Sequence, residues 1–135
     1  MTRPMTSADN AIRIGGGRGA GSEARTALTV ELGDAVGADA LRDLHLLTSE
    51  VVNNSVLHGG VDDDGWIELL LSHEPTRVRI EVRDSGVQGA PRLREPDLDE
   101  GGGFGLFLVE AMASRWGANR AASGLTVWFE LDLNG

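Results

Sequence analysis

A chain of 135 residues with 41% hydrophobic and 24% charged content has the size and make-up of one globular domain. Its net charge of −9 disfavours docking on a nucleic-acid backbone and suits a basic protein partner. All 12 basic residues are arginines and cysteine is absent, which excludes a phosphate-loop lysine, a Schiff base, disulfides and thiolate metal sites.

In chain order, MTRPMTSADN carries no apolar stretch behind its arginine, so no secretory signal is expected. No apolar run approaches the roughly 20 residues of a membrane span, and a cytoplasmic location is the expectation. Ala11-Ile12-Arg13-Ile14 alternates as a short edge strand would, and GGGRGAG (15–21) follows as a loop. Residues 1–21 are thus expected to form a flexible segment with one short edge strand, and 22–135 the folded domain. A helix is predicted from the N-capping Ser22 to about Leu32, and a second from about Asp39 to Leu57, closed by Gly59-Gly60. The turn VDDDG precedes two strands, 66–72 and 77–84, spaced as an antiparallel hairpin. A loop over 85–102 leads to a third helix over about 104–116, and 125–133 reads as a last strand. The order β-α-α-β-β-α-β predicts an α+β two-layer sandwich, with helices on one face of a mostly antiparallel sheet.

The stretch SEVVNNSVLHGG (49–60) sets Glu50 and Asn54 about 40° apart on the second helix, in a polar groove bordered by leucine and valine. His45, Ser49 and Asn53 form the expected solvent face. A carboxylate beside an apolar border needs a reason, because burying it unpaired costs several kcal/mol. It is a wet helix edge, a partner of an arginine, or a base beside a metal-binding amide oxygen. Spacing alone leaves these open.

Two other stretches bear on the choice. In RIEVRDSGVQGAP an alternating strand ends in Asp84, followed by Ser85-Gly86. A carboxylate there can close a turn, or accept a hydrogen bond from an exocyclic amine while the glycine admits a flat ring. In DEGGGFGLFLVEAMASRWG, glycines 101–103 and Gly105 run into an apolar helix, either as a plain loop or as free N–H groups suited to phosphate.

Taken in order, E-x-x-x-N on a helix, D-x-G after a strand and G-x-G-x-x-L opening a helix resemble the N, G1 and G2 boxes of the GHKL ATPase superfamily. NNSVLHGG, GFGLFLVEAMASRWG and LTVWFEL are similar to its anti-sigma-factor serine kinase branch, over roughly residues 22–133. The resemblance implies a Bergerat-type fold that binds ATP with Mg²⁺. It implies Asn54 as the Mg²⁺ ligand and Glu50 as general base toward a protein serine. Asp84 would read adenine, Gly86 would admit the ring, and Gly103 and Gly105 would lie near the phosphates. Thr126 would support the aspartate, residues 87–102 would form a lid, and Arg92 and Arg94 would meet the γ-phosphate. The implied partners are a sigma factor and a STAS-type anti-anti-sigma protein, with a homodimer as the assembly and neither nucleic acid nor membrane contacted directly. The chain departs from D-x-G-x-G at Gln88, with Gly89 one residue late, which is expected to shift the lid hinge and weaken nucleotide affinity and leaves a non-catalytic, partner-sequestering module as the alternative.

The remaining features are expected to be structural. GGGRGAG also spells G-x-G-x-x-A at Gly15, Gly17 and Ala20, the outline of a dinucleotide-binding turn, but no separated second strand with its acid follows. Histidines 45, 58 and 73 are too scattered for zinc, and DDD (62–64) lacks calcium-loop spacing. Trp66, Trp116 and Trp128 are assigned to core or interface.

Overall fold

The computed structural model describes residues 11–59, 65–84, 106–121 and 124–133. Among them lie β1 (Ala11–Gly15), α1 (Ala20–Leu32), α2 (Ala38–Gly59), β2 (Trp66–Glu74), β3 (Arg77–Asp84), α3 (Phe107–Met112), β4 (Arg115–Ala121) and β5 (Gly124–Asp132). The strands form one sheet in the order β1-β2-β3-β5-β4, with every neighbouring pair antiparallel. The expected α+β sandwich is therefore what the chain adopts.

Alternation builds the sheet. In β3, Val78, Ile80 and Val82 are buried while Arg77, Arg79, Glu81 and Arg83 take the other face. Ile67, Leu69, Leu71, Val127 and Phe129 continue the apolar face and join one core with Ala24 and Leu28 of α1, Leu44, Leu47, Val51 and Val52 of α2, and Val109 of α3. Each fully buried leucine, valine or phenylalanine contributes ~1.5–3 kcal/mol. That core fixes the helices on one face.

The opposite face is an ion-pair lattice. Arg83 meets Glu68 at 3.1 Å, Arg79 meets Glu81 and Glu130 at 3.0 Å, and Arg115 meets Glu130 at 2.7 Å and also Asp132. Arg13 stacks over Trp66 and Arg79 over Trp128, at 4.1 and 4.3 Å from the ring centroids. The Arg115 hydrogen bond holds the Glu130 carboxyl below its ordinary value, outweighing the contrary effect of burial, and Arg79 adds to the lowering.

Three expectations are corrected. The third helix ends at Met112 rather than Trp116: Ala113 turns extended, at ψ 146°, and 115–121 form β4. Leu108, Met112 and Trp116 continue a four-residue apolar spacing across that break, which is why the helix looked longer. Helix α1 starts at Ala20, two residues before Ser22, behind an N-cap at Gly19 that makes no side-chain cap bond. The GGGRGAG stretch closes β1 and opens α1, with the Gly16 N–H on the Gly65 carbonyl at 3.1 Å and Gly17 at φ 91°. Since β1 pairs antiparallel with β2, it is no parallel dinucleotide-binding unit.

The third concerns the expected solvent face of α2, where Asn53 is exposed as expected but His45 and Ser49 are half-buried. His45, Ser49 and Asn53 run alongside α1. The His45 ring shares a hydrogen bond with the Thr29 hydroxyl at 2.9 Å, and Arg25 donates to the Ser49 hydroxyl at 3.0 Å. At the third rung, a Cβ added to Gly21 would sit 2.8 Å from Asn53 Oδ1. Positions 21, 25 and 29 thus descend one helix as 53, 49 and 45 ascend the other. These contacts follow the antiparallel register of two helices whose apolar faces share the core.

Candidate functional site

At one end of the sheet the termini of four strands meet. Gly15 pairs with Trp66, Ile67 with Asp84, and β5 begins beside them at Gly124. Only residues 60–65 separate the end of α2 from the start of β2, so the C-terminal half of α2 is tethered to that sheet end. Helix α2 also packs on β3, the strand that ends in Asp84.

On α2, Asn54 is buried at 9% exposure, and its amide nitrogen donates to the Glu50 carbonyl at 3.1 Å. That bond commits the nitrogen, and Oδ1 is buried with no hydrogen-bond partner among the described residues. A buried amide oxygen left without a donor costs about 1–3 kcal/mol, and a hard cation satisfies such an oxygen. Glu50 is half-buried, and its carboxylate meets neither donor nor cation among the described residues. Among the described residues, the arginine-partner reading of Glu50 therefore finds no arginine. Thr48 and Ser55 are also buried on this helix.

Among the described residues, no three histidine, aspartate or glutamate side chains are placed to hold a metal ion.

Asp84 ends β3 at 3% exposure, and its Oδ1 accepts the Leu125 N–H at 3.1 Å. Beside it, Gly124 has φ 140°, and a Cβ there would overlap the Asp84 carbonyl oxygen and lie 2.9 Å from Oδ1. The carboxylate is thus buried and oriented, with the bare backbone of Gly124 packed directly against it.

Thr126 requires a correction. It pairs with Arg83, one residue out of step with Asp84, so alternation sends its side chain to the ion-pair face. Support for Asp84 comes instead from the backbone of Leu125. Every residue but proline carries that donor, so no side-chain pattern announces it; the one available signal was Gly124 just ahead of an alternating strand. The positions Gly86, Arg92, Arg94, Gly103 and Gly105, with the 87–102 lid, lie outside the described residues. Of the expected site residues, Glu50 and Asn54 are neighbours in the half of α2 that leads to β2, and Asp84 closes β3, a strand on which α2 packs.

Among the described residues, no helix is long and apolar enough to cross a membrane. A family model described as a histidine kinase-like ATPase domain matches residues 10–131. A search of curated proteins finds no match.

Proposed function

The chain belongs to the histidine kinase-like ATPase domain family, an ATP-binding family, and from that premise we propose that it is an ATP-dependent protein serine kinase that acts as an anti-sigma factor. In one state it holds a sigma factor; in the other it phosphorylates a STAS-type anti-anti-sigma protein and exchanges partners. The observation that carries the catalytic reading is the pair on α2. A buried Asn54 oxygen without a donor lies one turn beyond a Glu50 carboxylate without a partner among the described residues.

In the proposed reaction, the serine hydroxyl oxygen of the partner bonds to the γ-phosphorus of ATP as the bond from that phosphorus to the β-bridging oxygen breaks. Glu50 takes the hydroxyl proton, and ADP leaves with the bridging electrons. Asn54 would hold Mg²⁺, which when bound neutralises charge on the transferring phosphate. Asp84 reads the base as an acceptor, fixed at its Oδ1 by the Leu125 amide. The acidic surface, at net charge −9, steers a basic sigma-factor surface toward the chain. The proposed working assembly is a homodimer.

The test is incubation with Mg-ATP and a STAS-type substrate, followed by mass analysis of the serine. Phosphate on the substrate with wild type, and strongly slowed transfer by Glu50→Gln with nucleotide still bound, is the expected pair of results. Equal rates in the two proteins refute the role given to Glu50.

One sequence feature favours a second reading. Gln88 stands at the second glycine of D-x-G-x-G, and a domain altered there can bind nucleotide and sequester its partner without transfer. Recovery of unchanged ATP with every substrate tried selects this reading.

A further inference from the structure

We propose that Gly124 and the Leu125 amide form a backbone clamp that orients the Asp84 carboxylate and so sets the choice of purine base, an inference that rests on the nucleotide reading of this site. Two adjacent features of the β5 backbone converge on Asp84. The Leu125 N–H reaches Asp84 Oδ1 at 3.1 Å across the β3–β5 pair. The residue before it, Gly124, sits at φ 140°, in backbone territory that side chains rarely enter. A Cβ at this position would collide with the Asp84 carbonyl and crowd Oδ1 at 2.9 Å. The strands therefore approach this closely because residue 124 has no side chain, and the approach delivers the amide to the carboxylate.

The neighbouring hydroxyl does not share the task, because Thr126 lies opposite Arg83 on the other face. A carboxylate accepts hydrogen bonds and donates none. Held in one orientation, it favours a purine edge that offers an amino group and opposes one that offers a carbonyl. With the Leu125 amide drawn away, that orientation is held less well, and the discrimination falls. Gly124 and Leu125 are thus positioning residues that act through Asp84.

The test compares Mg-ATP and Mg-GTP titrations of wild type, Gly124→Ala and Gly117→Ala. Gly117 lies in the same β4–β5 hairpin, and its added Cβ would sit 2.6 Å from Trp128 Nε1, so Gly117→Ala strains the hairpin without touching Asp84. Gly124→Ala should lose about tenfold or more of the ATP-over-GTP preference, while Gly117→Ala keeps it. A folded Gly124→Ala with the wild-type ratio overturns the proposal, as does an equal loss in Gly117→Ala.

Should Gly124→Ala fail to fold, amide proton spectra of wild type and Asp84→Asn decide. The Leu125 amide should move upfield by more than the Val127 amide, and equal movement overturns the clamp. If wild type itself shows no preference for ATP over GTP, the nucleotide reading fails, and the base-selecting role with it. The Leu125 resonance still reports whether the clamp exists.

Discussion

Asn54 donates its side-chain amide to the backbone carbonyl of Glu50 at 3.1 Å, so the two residues paired by their spacing are also joined by a hydrogen bond. The bond commits the amide nitrogen to the helix backbone and leaves the oxygen buried without a donor among the described residues. Stability and function therefore pull in opposite directions at this position.

That opposition gives the first prediction. Asn54→Ala removes an unsatisfied buried oxygen worth about 1–3 kcal/mol of penalty, against one lost hydrogen bond worth about 1 kcal/mol. Thermal stability without nucleotide should be unchanged or slightly raised, while ATP affinity loses its dependence on magnesium. Calorimetry with and without the ion checks both halves. A variant that is less stable yet binds Mg-ATP normally would show Asn54 to be structural.

Acid sensitivity follows from Glu130. Its carboxyl titrates below the ordinary 4.5 in the folded protein because Arg115 and Arg79 stabilise the charged form. A lowered folded value means the stabilisation is present above the unfolded value and is lost as pH falls through the folded one. Glu130→Gln should cost roughly 1 kcal/mol near neutrality. The difference from wild type should shrink as pH drops below 4.5. Denaturant midpoints across that window measure it, and a constant difference at every pH contradicts the assignment.

Gly21 offers a test of the helix pair. Alanine in a helix gains up to about 1 kcal/mol over glycine, while the new methyl would press on Asn53 Oδ1 at 2.8 Å. Asn53 is exposed and its side chain can turn away. Gly21→Ala should therefore stabilise the fold by about 0.5 kcal/mol. A measured loss would mean that Asn53 is held in place.

The core makes a blunter prediction. Phe129 is fully buried where β5 faces the helices, and Phe129→Ala should cost about 3–5 kcal/mol in equilibrium unfolding. A loss under about 1 kcal/mol would place the centre of the core elsewhere.

What could be read from the sequence follows from which interactions leave a periodic trace. The 77–84 strand was legible to the residue because arginine and glutamate alternate with valine and isoleucine across a sheet with one wet face. Helix α2 was legible from its leucines, and with it the nearness of Glu50 to Asn54. Strand β4 was not, because Gly117 and Ala118 carry no strand signal and Trp116 sits at helical spacing from Met112. The polar face of α2 looked wet because a helical wheel shows polarity without showing the neighbour. His45 and Ser49 are polar and still lie along α1. Thr126 drew attention to a hydroxyl where the donor is the adjacent main-chain amide.

The proposed adenine selectivity of the buried Asp84 is where fold, site and proposed activity meet. The most direct measurement is a titration of wild type and Asp84→Asn with Mg-ATP, alongside Mg-GTP as the competitor base. Micromolar-range preference for ATP in wild type, lost in the variant while its circular dichroism is unchanged, is the predicted outcome. Undiminished ATP binding by a folded Asp84→Asn protein would mean that the base is read elsewhere, and the site described here would not be the nucleotide site.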